Sequence, residues 1–183
     1  MNTRAFLLLA TCVVFTANLN AQTFTLTSTS VGGQATMAEV FNGFGCTGGN
    51  LSPQLSWANA PEGTQGYAIT MYDKDAPTGS GWWHWVAFDL PASTTSLPQG
   101  AGDAGKNLMP AGAIQGKTDF GAAGYGGPCP PSGHGPHQYV ITVYALKTAK
   151  LGLDATATPA VVGYNVNANA LAKASIVFYY ERK

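Results

Sequence analysis

The chain has 183 residues, balances nine Lys+Arg against nine Asp+Glu for a formal net charge of zero, and is only 10% charged. No basic stripe or Lys/Arg run is present, so nucleic-acid binding and attachment to acidic membranes lack their usual electrostatic footprint. With three histidines and three cysteines in all, the placement of each matters.

Met1 to Ala21 carries one basic residue, Arg4, then an apolar run from Ala5 to Ala17 broken only by Thr11, Cys12 and Thr16, and ends on the small Ala21. This reads as a secretory signal peptide, too short to span a membrane. Leu9-Ala10-Thr11-Cys12 fits a lipoprotein cleavage box poorly, because Thr11 precedes the cysteine and the apolar run continues past it. The expectation is soluble export, periplasmic or secreted, with no transmembrane span in the mature chain. Residues 22–183 then suit one domain with a full core.

Short runs rich in β-branched and aromatic residues follow, bounded by Gly, Pro, Asn and Ser: Phe24 to Thr27, Leu55 to Trp57, Tyr67 to Tyr72, Trp83 to Leu90, Tyr139 to Leu146 and Ser175 to Tyr180. Such spacing predicts an all-β dominated fold, an antiparallel β-sandwich or barrel. Tyr139 to Leu146 is apolar on both faces apart from Thr142, as expected of an interior strand. Near the C-terminus Thr158-Pro159 supplies an N-cap and a proline at the first helical position, with Ala160-Val161-Val162 and Leu171-Ala172 as an apolar face. Gly163, Asn165, Asn167 and Asn169 weaken that helix, so one or two short helices are expected.

Export removes Cys12 and leaves Cys46 and Cys129. Neither belongs to a Cys-x-x-Cys unit, so a disulfide is preferred to a metal site, with two free buried thiols as the alternative. The Gly/Pro-rich stretch from Gly121 to Pro136 can be rigid and shaped around a ligand.

The histidines concentrate in Trp83-His84-Trp85 and Gly133-His134-Gly135-Pro136-His137, with Asp73-Lys74-Asp75-Ala76-Pro77 upstream. Strand alternation puts His84 on the side of Val86 and Phe88, opposite Trp83 and Trp85, and puts His137 on the side of Tyr139. Asp73 and Asp75 share a side if the strand geometry persists. Trp83 and Trp85 read as core, Trp82 and Tyr125 as rim.

These segments, with Asn50-Leu51-Ser52-Pro53-Gln54-Leu55-Ser56-Trp57, Thr118-Asp119-Phe120-Gly121 and Gly126-Gly127-Pro128-Cys129-Pro130-Pro131-Ser132-Gly133, resemble in order the phosphatidylethanolamine-binding protein family, in its bacterial Raf-kinase-inhibitor-like branch. The resemblance implies a sandwich with a small pocket for phosphate-like or carboxylate anions, including phospholipid head groups. Carried over by position, the pocket would use Asp73, Asp75, Pro77, His84, Gly127, Pro131, His137 and Tyr139, with His134 at the rim. Loop N–H groups and imidazoles can hold an anion without a lysine, and the two carboxylates would orient those donors or meet a ligand ammonium. Lys74 stands where the family usually has proline, which adds a cation beside the pocket. Kinase inhibition is not carried over, since an exported chain does not meet cytosolic partners.

The expected function is a non-catalytic binding module without cofactor that modulates or inhibits an extracytoplasmic partner. Two alternatives compete with it. One is a hydrolase of small phosphoesters or esters with His84 or His137 as general base, although Gly-x-Ser-x-Gly is absent and Ser132 has no nucleophile context. The other is a metal site from His84, His134, His137 and an aspartate.

Overall fold

A computed structural model describes residues 22–183, and the expected leader at 1–21 lies outside the described residues. In chain order the elements are β1 (Thr25–Thr27), β2 (Leu55–Ala58), β3 (Gly66–Asp73), β4 (Trp82–Pro91), β5 (Ser96–Leu97), β6 (Ile114–Gln115), β7 (His137–Leu146), α1 (Pro159–Asn169) and β8 (Ala170–Tyr180). They form two antiparallel sheets, ordered β1-β2-β5 and β6-β4-β3-β7-β8. Between them lies the main core, to which the small sheet sends Leu26, Leu55, Trp57 and Leu97 and the large sheet Ile69, Met71, Trp85, Tyr139, Ile141 and Phe178. Burying side chains of this size stabilises by roughly 2–3 kcal/mol each, more than any single exposed hydrogen bond or ion pair, so the sandwich is held by its interior.

The outer face of the large sheet carries a second cluster, in which Ala68, Val86, Phe88 and Leu146 pack against Val162 and Val166 of α1. The helix begins as expected, with the Thr158 hydroxyl accepting from the Val161 N–H and Pro159 in the first turn. It is one helix among the described residues and it stops earlier than its apolar pattern suggests: Leu171 and Ala172 belong to β8, paired with β7. The asparagines do not split it, because Asn165, Asn167 and Asn169 each donate through Nδ2 to the carbonyl four residues back. Its buried face is Pro159, Val162 and Val166, while Val161 is exposed.

A register shift in β4 alters which side chains reach the interior. Met71 opposes Trp85 and Tyr72 opposes Trp83, so His84 is the extra residue of a β-bulge. The expected alternation therefore fails there. His84 lies on the inner side with Trp85, Trp83 turns outward to Tyr72 with ring centroids 4.7 Å apart, and Val86 and Phe88 occupy the outer cluster. Trp83 and Trp85 do not share a face. Tyr125 is also core rather than rim, buried with its hydroxyl donating to the Glu39 carbonyl at 3.0 Å.

Candidate ligand-binding site

At one end of the inner sheet face, β3 stops at Asp73 directly opposite Tyr139 of β7. Tyr139 and His137, two apart on that strand, share a face as alternation requires. The bulge adds His84 from β4, whose ring meets that of Tyr139 edge-on at 5.2 Å. These four side chains form the floor of a cavity of about 220 Å³, walled by Ala76, Pro77, Trp82, Phe120, Pro130 and Pro131, with Phe44 at the mouth. A space of this size suits a phosphate or a small head group, well below the ~300–1,000 Å³ of pockets that enclose drug-sized ligands.

The floor is a chain of short hydrogen bonds. Asp73 accepts from His137 Nδ1 through Oδ2 at 2.7 Å and from the Asp75 N–H through Oδ1 at 2.8 Å. His137 Nε2 in turn lies 2.8 Å from His134 Nδ1. His84 donates from Nδ1 to the Gly126 carbonyl at 2.7 Å, and Gly126 N–H returns a bond to the His84 carbonyl at 2.8 Å. Burial pushes the His84 pKa down from 6.5 to about 4, so its ring is neutral and Nε2 carries a lone pair. The Tyr139 hydroxyl is fully buried beside Asp73 without a well-formed hydrogen bond to any protein group, and burial together with the neighbouring Asp73 carboxylate raises its pKa far above the usual phenol value. It keeps its proton and can turn it to Asp73 or to an acceptor inside the cavity.

The roof depends on close backbone packing. A Cβ on Gly127 would lie 2.0 Å from the Glu39 carbonyl oxygen, so only glycine fits there, while one on Gly126 would lie 2.3 Å from the Phe120 ring and would push that ring aside. Asn50 fixes the segment, accepting from the Gly127 N–H at 2.8 Å through Oδ1 while Nδ2 donates to the Tyr125 carbonyl at 3.4 Å. Cys46 and Cys129 are joined as a disulfide, tying the Phe44 loop to the Pro130-Pro131 wall.

Of the residues singled out from sequence, Asp73, Pro77, His84, Pro131, His137 and Tyr139 line the cavity, while Asp75 and Gly127 do not. Strand geometry does not persist past Asp73, because the Asp75 N–H turns back onto the Asp73 carboxylate. Asp75 instead accepts from the Gln138 N–H at 2.8 Å and pairs with Lys74, so both charges lie outside the cavity and the lysine is not a pocket cation. That contact holds the Asp75 carboxyl below its usual range. Gly127 shapes the roof from behind. His134 is exposed, as a rim residue should be, yet it bonds directly to the floor. Phe44 and Phe120 were not among the expected pocket residues; Phe120 sits in a quoted motif, and Phe44 lies two residues before a bridged cysteine.

Among the described residues no cluster of three or more His, Cys, Asp and Glu side chains is arranged to hold a metal ion. No described helix is long and apolar enough to cross a membrane. Nothing in the site adds support to the hydrolase alternative.

A β-sandwich that gathers Asp73, His84, His137 and Tyr139 beneath a Gly/Pro-rich segment is the architecture of a binding-protein family. The chain belongs to the phosphatidylethanolamine-binding protein family, whose pattern it matches over residues 27–181. It is 49% identical to Escherichia coli UPF0098 protein YbcL over 180 residues, 97% of this chain and 98% of that protein. The crystal structure of YbcL, described as a member of the mammalian PEBP family, superposes with a TM-score of 0.85 at 52% identity, covering 87% of this chain and 99% of that one. E. coli UPF0098 protein YbhB is 52% identical over 137 residues, 75% of this chain and 85% of its own. A Mycobacterium tuberculosis protein named as a lipoprotein, LppC, is 36% identical over 106 residues, 58% of this chain and 48% of its own.

Proposed function

We propose that the protein is an exported, non-catalytic binding protein whose pocket takes a phosphate-like or carboxylate anion, phospholipid head groups among them, and that it modulates an extracytoplasmic partner when loaded. The observation that carries this reading is the convergence of Asp73, His84, His137 and Tyr139 at the floor of a head-group-sized cavity. Both Asp73 oxygens are already bonded, so the carboxylate serves to hold the His137 ring rather than to meet the ligand. The Tyr139 hydroxyl lines the cavity with no well-formed bond to the protein, so it is a donor a ligand can take, and the apolar walls strengthen each polar contact by excluding water. Family membership supports a binding role. Export is supported by the N-terminal apolar run, read as a leader over 1–21 ahead of one domain at 22–183, by the Cys46–Cys129 disulfide, and by the likeness to LppC.

The test is a titration of the 15N-labelled protein with inorganic phosphate, acetate and O-phosphoethanolamine, read by amide and histidine-ring shifts. Shifts should centre on Asp73, His84, His137 and Tyr139, and His137→Gln and Asp73→Asn should each weaken binding at least tenfold. Saturable shifts elsewhere, or full binding in both variants, would overturn the assignment.

A further inference from the structure

When its imidazoles are neutral, neither ring on the floor has a hydrogen left for a ligand. Asp73 Oδ2 fixes His137 as the tautomer with hydrogen on Nδ1, leaving Nε2 a lone pair, and His134 Nδ1, 2.8 Å away, fills it with its own hydrogen. His84 spends its Nδ1 hydrogen on the Gly126 carbonyl. An anion entering this state would find one free donor, Tyr139, beside the negative charge of Asp73, and no lysine or arginine lines the cavity.

We propose that anion binding is coupled to the uptake of one proton by the His134–His137 pair, with His134 acting as a latch that holds His137 Nε2 until the ligand displaces it. The inference rests on the reading of the pocket as an anion site. Adding a proton lets His137 carry hydrogen on both ring nitrogens: Nδ1 stays on Asp73, Nε2–H turns to the anion, and His134 is released as a neutral ring. The imidazolium also offsets the Asp73 charge. His134 is placed for such a swing, exposed and flanked by Gly133 and Gly135 in left-handed conformation at φ 74° and 83°, with its N–H resting on the Pro131 carbonyl.

The groups around the pair direct the proton there. Asp73 ends β3, Asp75 beyond it is paired with Lys74, Tyr139 follows on β7, Tyr180 opposes His137 from β8, and the Arg182 guanidinium is turned to the Phe44 and Gly45 carbonyls. The nearest charge is therefore the Asp73 carboxylate, 2.7 Å from His137 Nδ1 and placed to pair with the ring once the ligand is in. His84, pressed into the apolar wall with a pKa near 4, does not compete for the proton near neutral pH.

The probe is inorganic sulfate, which stays a dianion across the imidazole range, titrated calorimetrically from about pH 5 to 8 in pairs of buffers with low and high protonation enthalpy. Expected at the alkaline end of this range are close to one proton taken up per sulfate and an affinity that falls steeply as pH rises, toward tenfold per pH unit. His134→Ala should still bind sulfate at acidic pH, with a pH dependence displaced from that of the wild type because nothing then occupies His137 Nε2 in the free protein. Sulfate binding with no proton uptake and flat affinity would overturn the coupling while leaving the anion site standing. Coupling that His134→Ala leaves unmoved would equally overturn it, by removing the latch. Absence of sulfate heat at every pH, with no phosphate shifts, would instead sink the anion-site reading.

Discussion

The floor and the roof of the pocket are built by different physics. The floor is strand ends: Asp73, His137 and Tyr139 stand where the pairing of β3 with β7 puts them, and the β4 bulge opposite Met71 and Tyr72 brings in His84. The roof has no repeating hydrogen bonds and is held by a disulfide, by Asn50 and by glycines fitted against neighbouring backbone. The comparison teaches that floor geometry is inherited from a core that would exist without a ligand site, whereas roof geometry has to be fastened residue by residue. Perturbing the two should therefore give separable results.

The largest effect belongs to the roof fastening. The disulfide joins residues 83 positions apart, and loop closure of that length is worth about 4 kcal/mol in chain-entropy terms. Cys46→Ser with Cys129→Ser should lower the denaturant-unfolding free energy by about that much, while the histidine-ring NMR signature of the Asp73–His137 bond survives in the folded protein. A loss below about 1 kcal/mol would mean that Asn50 and the glycine contacts alone hold the roof. Loss of the His137 signature would mean that floor and roof are one unit.

The same division explains what could be read from sequence. The strands that build the floor were legible because alternation and β-branched or aromatic content mark them, and the shared face of His137 and Tyr139 followed from spacing alone. The placement of His84 did not follow, since Trp-Trp-His-Trp contains no glycine or proline to announce a bulge and the extra residue shows only in the pairing with β3. Asp75 departs from the expectation for a related reason: an Asx turn at Asp73 ends the strand two residues before Asp75, so the pair does not share a side. The pocket residues on the strands and prolines came from family resemblance. Phe44 and the tie from Asn50 to Gly127 depend on loops brought together across long sequence separation, which no local pattern encodes.

A smaller effect should appear in the floor as pH changes. The unfolded chain protonates His84 near its ordinary 6.5, whereas the folded protein resists until about 4. Both states are neutral above pH 7, so His84 makes no pH-dependent contribution there. Below 6.5 the unfolded state takes the proton first, and stability falls until about pH 4, by roughly 3 kcal/mol in total. His84→Gln can keep a donor for the Gly126 carbonyl without titrating, so its stability should decline less over this window by a similar amount. Parallel wild-type and variant curves would show that the ring is hydrated, and the floor then would not be the dry surface described above.

The finest distinction is carried by one oxygen. The Tyr139 hydroxyl is buried without a partner, a cost to folding that makes sense if a ligand supplies the missing acceptor. Tyr139→Phe should therefore leave thermal and denaturant stability unchanged or raised by about 1 kcal/mol, yet weaken phosphate binding about fivefold. The opposite pattern, lower stability with unchanged affinity, would assign the hydroxyl to Asp73 inside the fold and make the floor complete without a ligand. Stability and affinity moving in opposite directions is the outcome that a merely structural tyrosine cannot produce, since removing a satisfied buried group weakens the fold and leaves the anion its other contacts.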